Sequence, residues 1–385
     1  MNENPLTIFV SHPSSHLTDC DPHGDGLVAF EFITRLAARG HRLHVCVQGA
    51  NIAGDLPSSV TLHPIEKKTP ADTLKPIEYA FRVWGTFRRI QNEEHIDLIH
   101  QMNPVRPGLS APLSFMPVPL VLGLFVPSWP VTSSHETKHR KWREHIVSFV
   151  MKQADRIQQR NAAALLLSTP AARERLYKPR GKKAETYVIP YGIDIDQFNN
   201  TSSGGGAGQT ILYLGRLHQE KGIFTLLDAM SRVAETVEDV HLIIAGDGPE
   251  EEEVKRRVEE SSWSDHVSLL GRVARSAVPG LMGNCDVFCV PSHGEPFGMS
   301  ALEAMAMGRP VVATDAGGLA HLVPDKGGYK VPPRDEEALG SALVKMLSAD
   351  SERIAMGKYN RQCVEEHYTW DAVIDKLERI YHKLA

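Results

Sequence analysis

Short apolar runs alternate with amphipathic segments through the first half of the chain. The runs predict strands, at Leu6–Val10, Leu43–Val47, Thr61–Ile65, Ile96–His100, Leu120–Val126, Ala164–Ser168 and Tyr187–Pro190. The segments between them predict helices, at Leu27–Arg39, Ile77–Gln91, Glu136–Gln159 and Thr169–Leu176. This alternation favours an α/β fold on a doubly wound parallel sheet, whose ligands bind at the carboxyl ends of the strands.

The pattern resumes after a change in composition. Residues 199–208 contain four glycines and two serines, which is the composition of a linker. Beyond them, strands are predicted at Thr210–Leu214, Val240–Ala245, Val267–Leu270, Asp286–Pro291 and Pro310–Thr314. Helices are predicted at Ile223–Thr236, Glu250–Glu260, Ser300–Met307 and Trp370–Leu384. We therefore predict two domains, 1–198 and 199–369, followed by a terminal amphipathic helix at 370–385.

Composition narrows the class of protein without identifying a function. A chain of 385 residues with 42% hydrophobic and 23% charged residues is typical of a globular protein of about two domains. Its net charge of −5 gives no reason to expect a nucleic-acid partner. The five cysteines are scattered, and Cys285 and Cys289 bracket a predicted strand, so we interpret them as core residues in a reducing cytoplasm. We expect no signal peptide and no membrane-spanning run.

One loop between a predicted strand and a predicted helix carries the strongest candidate chemistry. Strand Asp286–Pro291 leads through this loop into a helix at Ser300–Met307. The start of a helix leaves backbone amides without partners, and together with the helix dipole these amides bind phosphate. Such donors are expected at Phe297, Gly298 and Met299.

Two glutamates flank this anion site, Glu295 on the loop and Glu303 about a turn and a half into the helix. A carboxylate beside a phosphate makes sense if it accepts hydrogen bonds from hydroxyl groups, as on a sugar. A ligand with a phosphate centre and a polyol at each end satisfies both features. The pattern therefore indicates a nucleotide-sugar, and the alternative is a helix with an ordinary solvated glutamate.

A second loop contributes two cations. Arg216 follows the predicted strand Thr210–Leu214, and Lys221 precedes the predicted helix Ile223–Thr236. Arginine grips a diphosphate through two parallel hydrogen bonds, and lysine acts on it as a point charge. The two residues are therefore candidate ligands of a diphosphate; otherwise they are surface charges around a turn.

These residues and their surroundings resemble a known family. Glu295 and Glu303 have seven residues between them, after Pro291-Ser292 and before the run Ala304–Thr314. This context, with a Gly-Arg…Lys-Gly motif at 215–222, resembles the Glu-x7-Glu signature of retaining, family-4-type glycosyltransferases (glycosyl transferases group 1) of the GT-B fold. The resemblance covers nearly all of residues 205–335.

The resemblance implies two Rossmann-like domains facing across a cleft. The first would hold the acceptor, and the second a nucleotide-diphosphate sugar, either UDP- or GDP-linked. By the same resemblance, Arg216 and Lys221 neutralise the leaving diphosphate, Glu295 contacts the donor sugar, and Glu303 binds the ribose hydroxyls. It also implies retaining transfer to an acceptor hydroxyl, whose proton the leaving phosphate can take. In this family the terminal helix crosses back onto the first domain.

Further donor contacts follow from the resemblance. Gly24 and Gly26, before the helix Leu27–Arg39, correspond to the glycine-rich loop beneath the donor diphosphate; a plain tight turn is the alternative. The other donor-binding candidates lie in the second domain, at Gly215, Gly246, Gly248, Arg272 and Val273.

Acceptor-side candidates are chosen only by their position at the ends of first-domain strands. They are His12, His16, Asp19, His100, Asn103, Ser128 and Trp129. A histidine at a strand end is also a common structural hydrogen-bonding residue. Many members of the family carry a histidine just after the strand that matches Leu120–Val126, but this chain reads Gly123-Leu-Phe-Val126 there. No catalytic histidine is therefore assigned at that place.

The predicted helix Glu136–Gln159 and its extension to Arg160 are basic. Residues 138–160 contain seven lysines and arginines against two acidic residues. The helix also has an apolar side, formed by Trp142, Ile146, Phe149 and Val150. Such a helix can lie on an anionic membrane or meet an anionic acceptor. Because the whole chain is acidic, a solvated surface helix is the favoured interpretation.

We expect no metal and no cofactor besides the nucleotide-sugar, because Arg216 and Lys221 supply the positive charge. Asp194-Ile-Asp196 has the spacing of a cation site but falls in the interdomain segment, so we interpret it as structural. The expected partners are the donor and a small-molecule, glycan or lipid-linked acceptor. We expect a cytoplasmic protein, with contact at the inner face of the membrane as the alternative. Two other functions stay open: another GT-B enzyme, such as a sugar-nucleotide epimerase or a phosphorylase, and a non-catalytic nucleotide-sugar binder.

Overall fold

A computed structural model of the chain describes residues 4–11, 16–20, 24–66, 74–102, 108–128, 142–177, 184–199 and 209–385. Within these ranges the chain forms two large parallel sheets flanked by helices. Strands and helices alternate along both halves, so the α/β class predicted from the hydrophobic pattern is confirmed.

The first half builds a seven-stranded sheet. Its elements in chain order are β1 (Thr7–Ser11), β2 (Leu17–Thr18), α1 (Gly24–Ala38), β3 (Arg42–Val47), β4 (Ala50–Asn51), β5 (Val60–Pro64), α2 (Lys75–Glu93), β6 (Leu98–Gln101), β7 (Leu120–Phe125), α3 (Trp142–Asn161), β8 (Ala164–Leu167) and β9 (Glu185–Val188). The sheet order is β5-β3-β1-β6-β7-β8-β9, and β2 pairs separately with β4. Every residue of β6, β7 and β8 is buried, as expected where helices cover both faces of a parallel sheet.

The second half builds a six-stranded sheet. Its elements are β10 (Gln209–Leu214), α4 (Ile223–Thr236), β11 (Val240–Ala245), α5 (Glu251–Glu259), β12 (Val267–Gly271), α6 (Val278–Asn284), β13 (Val287–Val290), α7 (Met299–Ala306), β14 (Val311–Thr314), α8 (Leu319–Leu322), β15 (Gly328–Val331), α9 (Glu336–Leu347), α10 (Asp350–His367) and α11 (Trp370–Leu384). The strand order is β12-β11-β10-β13-β14-β15. Cys285 and Cys289 are buried in the core of this half, as predicted.

Helix α11 packs on the first half of the chain. The Trp370 ring meets the Phe32 ring of α1 edge-on, with 5.2 Å between the ring centroids. Arg39 Nη1 donates to Glu378 Oε2 at 2.7 Å. At the far end of the helix, the Tyr381 hydroxyl lies 2.6 Å from His100 Nδ1. The last residues of the chain therefore complete the core of its first half.

The start of α1 differs from the prediction. The helix begins at Gly24, so Gly24 and Gly26 lie within its first turn rather than in a loop before it. A Cβ on residue 26 would lie 2.4 Å from the carbonyl oxygen of His16. The close approach of the preceding segment therefore explains Gly26 without a ligand.

Five elements of the second half were not predicted, namely α6, α8, β15, α9 and α10. β15 lies at the sheet edge, and a Cβ on its first residue, Gly328, would lie 1.9 Å from the Val311 carbonyl oxygen. α10 has a weak apolar pattern, because part of its buried face is the Asn360 amide, which donates to the carbonyl oxygens of Arg309 and Gly327 at 2.8 and 2.7 Å. Such polar burial gives no hydrophobic periodicity to detect.

Parts of the predictions lie outside the described residues. These parts are the linker at 200–208 and residues 136–141 of the basic helix. Across the described ranges, no helix combines the length and the apolar content needed to cross a bilayer. The same ranges contain no group of three or more His, Cys, Asp or Glu side chains arranged for a metal ion. Asp194 Oδ1 accepts from the Asp196 amide at 3.1 Å, which is a local turn contact.

Candidate functional site

The loops that follow β10, β11 and β12 lie side by side at the carboxyl edge of the second sheet. The Gly215 amide donates to the Ala245 carbonyl oxygen at 3.0 Å, and the Gly246 amide to that of Gly271 at 2.7 Å. This edge is where parallel sheets bind ligands. The predicted residues on these loops are Gly215, Arg216, Gly246, Gly248, Arg272 and Val273.

Two of the predicted glycines are required by backbone stacking. Gly246 has φ +144°, and a Cβ there would lie 1.9 Å from the Gly215 carbonyl oxygen. A Cβ on Gly248 would lie 2.2 Å from the Leu217 carbonyl oxygen. Gly215 itself faces only the Tyr213 ring system, at the ordinary contact distance of 3.5 Å. Gly246 and Gly248 therefore have a structural explanation that does not depend on a donor.

Lys221 and Glu295 meet at this edge. The Lys221 Nζ lies 2.6 Å from Glu295 Oε2, and Ser292 Oγ lies 3.4 Å from the same carboxylate oxygen. Gly222, with φ +70°, joins a short 3-10 helix (Gln219–Lys221) to α4. A Cβ on Gly222 would lie 1.8 Å from the Pro291 carbonyl oxygen, so this junction packs directly on the chain that follows β13. The sequence placed both side chains near a donor but did not predict that they pair.

The backbone of Glu295 is held by the neighbouring loop. Its carbonyl oxygen accepts from the Gly318 amide at 2.6 Å. Gly317, with φ +56°, would place a Cβ 2.4 Å from the same oxygen. Because the β13–α7 and β14–α8 loops are stacked this closely, the position of the carboxylate follows from the sheet order.

His293 lies between the two loops and was not among the site residues predicted from the sequence. Its amide donates to the Glu220 carbonyl oxygen at 2.9 Å, and its Nε2 lies 3.4 Å from Thr225 Oγ1. Arg334 Nε donates to His293 Nδ1 at 3.2 Å. Burial and the nearby Arg334 charge lower the pKa of His293. The residue thus ties the Lys221 segment to the Glu295 loop.

The N-terminus of α7 offers the expected anion-binding groups. Gly298 precedes the helix with φ +105°. The amides of Phe297, Gly298 and Met299 donate no hydrogen bond to any of the residues described. The Phe297 ring lies 4.7 Å from the Tyr191 ring of the first half, between centroids. The donors therefore sit where the two halves of the chain meet.

Glu303 has a partner that was not predicted. Its side chain on α7 is 7% exposed, and its Oε1 lies 3.1 Å from Nη2 of Arg275, whose side chain is 68% exposed. Burial raises the pKa of the Glu303 carboxyl, and the Arg275 charge only partly offsets this effect. Nothing in the run around Arg275 marks it in the sequence, because the contact depends on how the turn before α6 lies against α7. A hydroxyl-bearing ligand at Glu303 would replace or share this exposed ion pair.

The two predicted arginines, Arg216 and Arg272, differ in whether their side chains already have a partner. Arg216 is exposed after β10, and its guanidinium forms no ion pair or hydrogen bond within the described ranges. Arg272 Nε donates to Asp247 Oδ2 at 2.8 Å on an exposed surface. Val273 packs against the main hydrophobic core. Among the described residues, the Arg216 guanidinium therefore has no partner, whereas Arg272 already has a carboxylate partner.

Most first-domain candidates have structural roles or are not described. Asp19 accepts from the amides of Ala53 and Gly54 at 2.8 and 2.9 Å, and these bonds lower the pKa of its carboxyl. His16 is exposed beside β2. The Ser128 amide donates to Glu174 Oε1 at 2.6 Å. The predictions for His12, Asn103 and Trp129 lie outside the described residues.

His100 is buried and fully engaged. The Gly123 carbonyl oxygen can only accept, so His100 Nε2 donates to it at 2.9 Å, and Nδ1 accepts from the Tyr381 hydroxyl. Burial lowers the pKa of His100 to about 4. Its position at a strand end led to the prediction of an acceptor contact. In the structure, Nε2 is held by the β7 backbone and Nδ1 by the Tyr381 hydroxyl of α11, so both ring nitrogens already have a structural partner.

A cavity of about 360 Å³ lies between the two halves. Ser168 and Thr169, after β8, line it from the first half, and Phe297 and His321 line it from the second. The carboxyl edges of both sheets therefore open into a shared cleft, next to the loop that carries Glu295.

Comparison with known families gives two matches that together span most of the chain. Residues 199–363 match the family described as glycosyl transferases group 1. Residues 23–197 match the family described as Glycosyltransferase Family 4. The two matches meet at residue 198.

Individual proteins with similar sequences are also named as glycosyltransferases. The chain is 34% identical over 208 residues to a phosphatidyl-myo-inositol mannosyltransferase of Mycobacterium leprae. This aligned region covers 52% of this chain and 54% of the relative. It is 28% identical over 306 residues to the protein of that name from Mycobacterium tuberculosis (strain ATCC 25618 / H37Rv), covering 75% of this chain and 74% of the relative. An alpha-D-kanosaminyltransferase of Streptomyces kanamyceticus is 26% identical over 63% of this chain and 66% of its own length. The match thus spans about half of the first relative's length.

Solved structures show the fold. A sucrose-phosphate synthase from Thermosynechococcus elongatus superposes with a TM-score of 0.72 at 22% identity, covering 98% of this chain and 99% of that one. The Anabaena protein HepE in complex with UDP gives 0.72 at 20% identity, covering 98% and 100%. At these identities the likeness concerns the fold alone, and the expected GT-B fold is confirmed.

Proposed function

Because the chain belongs to the group 1 glycosyltransferases of the family-4 type, we propose that it moves a sugar from a nucleotide-diphosphate sugar to an acceptor hydroxyl with retention at the anomeric carbon. The donor is a UDP- or GDP-sugar. Arg216 and Lys221 supply the positive charge at the diphosphate, and no metal ion is needed.

One observation carries this proposal. The Lys221 ammonium, the Glu295 carboxylate and the amides at the start of α7, which donate to none of the described residues, lie at one sheet edge beside the cleft. An ammonium has three hydrogens, so Lys221 can keep its contact with Glu295 and still donate to a phosphate oxygen. The pair therefore links the phosphate part of the donor to its sugar part.

The remaining roles follow from position along the same edge. Glu303 accepts hydrogen bonds from the ribose hydroxyls, and Arg275 gives way to the nucleoside or shares the carboxylate with it. Glu295 contacts the transferred sugar. Arg216, which lacks a partner among the described residues, grips the diphosphate.

The chemistry is mainly electrostatic. The bond between the anomeric carbon and the phosphate oxygen breaks, and its electron pair goes to the leaving diphosphate. The acceptor oxygen forms the new bond on the same face, and its proton passes to the leaving phosphate. Fixed cations and amides stabilise the charge that develops on the leaving group, and the loss of one such donor typically raises the barrier by about 3–4 kcal/mol.

The acceptor and the sugar are left to experiment. Names of relatives support mannosyl and kanosaminyl donors as first choices, with a lipid or a small molecule as acceptor. One relative is named as GDP-mannose-dependent, and a structural neighbour was solved with UDP, so both bases belong in the screen. Thermal shift with each nucleotide and nucleotide-sugar identifies the donor before acceptors are tested.

Incubation with the donor and without an acceptor separates the candidate functions. Slow release of the nucleoside diphosphate and free sugar supports a transferase. Reversible formation of an epimeric nucleotide-sugar would identify an epimerase instead. Donor binding without any turnover, including with a panel of acceptors, would leave only a binding protein. Activity that persists in EDTA supports the metal-free mechanism, and its loss would contradict that part of the proposal.

A further inference from the structure

Helix α3 turns its apolar side outward. Ile146, Phe149, Val150 and Ile157 lie on one face of the helix and are 51%, 62%, 45% and 42% exposed. A surface helix of a globular protein normally turns such a stripe toward the core. Contiguous apolar patches that stay on the surface commonly mark an interaction site. The solvated helix favoured from the sequence does not explain this face.

The opposite face of α3 is polar and buried. Asp155 Oδ1 accepts from the Gln158 side chain at 2.8 Å and from the Gly108 amide at 3.4 Å. Gln158 Oε1 accepts from the Ser110 amide at 2.9 Å. Turning the helix about its axis would leave these buried groups without partners, which is costly. The hydrogen bonds therefore keep the apolar side chains on the outside.

The outward face is also cationic. Lys152, Arg156 and Arg160 are exposed along the helix, and Arg156 lies over the Tyr177 ring at 5.0 Å. Between residues 145 and 161 the sequence has a single acidic residue, Asp155, and it is buried. The local charge is thus positive although the whole chain carries −5.

We propose that this outward face, comprising Ile146, Phe149, Val150, Lys152, Arg156, Ile157 and Arg160, docks on the surface of an anionic lipid bilayer. Apolar side chains of an interfacial helix enter the boundary between headgroups and acyl chains, while its lysines and arginines meet lipid phosphates. An anionic bilayer offers both environments together, which matches the mixture of apolar and basic side chains on one face. The inference concerns a surface remote in sequence from Lys221, Glu295 and Glu303, and it does not depend on the proposed donor chemistry.

The position of α3 determines how the cleft between the two halves would be oriented when the helix contacts a membrane. The helix follows β7 in a parallel sheet, so its first turn lies toward the carboxyl edge of that sheet. This edge faces the cleft, as the lining of the interdomain cavity indicates. Docking through α3 therefore brings the first-domain side of the cleft to the membrane surface.

The test is sedimentation of the full-length protein with phosphatidylcholine vesicles that contain or lack phosphatidylglycerol. We expect binding to the anionic vesicles at low salt and weaker binding at high salt, because salt screens exposed charges. The double variant Phe149→Ser/Ile157→Ser should bind about tenfold more weakly. Lys152→Ala/Arg160→Ala should lose about fivefold for each residue, and only toward anionic vesicles.

The matched control is Ile354→Ser/Leu270→Ser. These side chains are 56% and 44% exposed, and both lie in the second half of the chain. This variant should bind vesicles as the wild type does. Far-UV circular dichroism and melting curves establish that every variant is folded, and donor binding by thermal shift should be unchanged in all of them.

Three results would overturn the proposal. The first is failure of the wild type to sediment with anionic vesicles at low salt. The second is equal sedimentation of the wild type and Phe149→Ser/Ile157→Ser. The third is light scattering that shows self-association of the wild type, abolished in the same variant, without vesicle binding; the face would then join two copies of the chain.

Discussion

Lys221 Nζ lies 2.6 Å from Glu295 Oε2, although the two residues are 74 positions apart in the chain. The contact joins the segment after β10 to the loop after β13, which are neighbouring strands of the second sheet. A left-handed, closely packed junction at Gly222 and the stacked loop at Gly317 hold the two sides in place. The ion pair is therefore built into the sheet edge before any ligand arrives.

Replacing Lys221 by alanine should lower turnover of the donor by about two orders of magnitude or more, because it removes positive charge where the leaving diphosphate develops negative charge. The measurement is kcat for donor hydrolysis or transfer once the donor is known. Lys255→Ala is the control, since Lys255 pairs with Glu251 on the surface of α5 at 2.9 Å. Wild-type turnover in Lys221→Ala would refute the role assigned to Lys221.

Glu303→Gln should weaken donor affinity while it stabilises the unliganded protein at neutral pH. Burial raises the pKa of Glu303, so the ionised carboxylate destabilises the folded state above its folded pKa. Glutamine removes the cost of burying a charge. In the wild type the same cost disappears as the pH falls, because the carboxyl group is then protonated. The variant should therefore melt higher than wild type at pH 7.5, and the difference should shrink toward pH 4.

The affinity part of this prediction is measured separately. Loss of hydrogen bonds from ribose hydroxyls to a charged acceptor should weaken donor binding about tenfold or more. Calorimetric titration with the donor measures it. A lower melting temperature of the variant at pH 7.5 would mean that the Arg275 ion pair outweighs burial, and unchanged affinity would remove Glu303 from the donor site.

His100 should make the fold sensitive to mild acid. Burial lowers its pKa from 6.5 to about 4, so the unfolded chain binds a proton at this residue before the folded chain does. Stability is therefore lost as the pH falls from about 6.5 to about 4, by up to about 3 kcal/mol. His100→Gln should lack this part of the pH dependence in urea unfolding at pH 7 and pH 4.5.

His95→Gln is the matched control for His100, because the His95 side chain is 85% exposed. It should unfold like the wild type at both pH values. An unaltered pH dependence in His100→Gln would show that protonation of other groups, not of His100, drives acid unfolding.

Comparing Gly222→Ala with Gly271→Ala separates two effects of alanine: backbone strain at a positive φ, and collision of the new Cβ with neighbouring atoms. Both glycines have positive φ, +70° and +62°. Alanine at 271 meets no atom within 4 Å, whereas at 222 its Cβ would lie 1.8 Å from the Pro291 carbonyl oxygen. Gly271→Ala should destabilise by about 1–2 kcal/mol, and Gly222→Ala by more, with loss of turnover because Lys221 moves. Equal melting temperatures for the two variants would contradict the close packing at Gly222.

Much of the fold was predictable because its signals are local. The buried strands appear as short apolar runs, and α4 repeats its apolar residues at helical spacing from Ile223 to Val233, so the α/β alternation needed no tertiary information. The loop with Glu295 was recognised because its residues and its place between strand and helix occur in one continuous stretch. Elements with weak local signals, such as α10 with its buried Asn360, were missed.

Tertiary structure alone decided the partners and the orientation of faces. The contacts between Lys221 and Glu295 and between Arg275 and Glu303 depend on which strands and helices become neighbours. Helical periodicity shows which residues of α3 share a face, but the buried hydrogen bonds of Asp155 and Gln158 determine which face turns to solvent. His100 looked like a ligand-binding residue until α11 covered it. Sequence periodicity is a property of one segment, whereas each of these outcomes is set by groups far apart in the chain that only the folded sheet brings together.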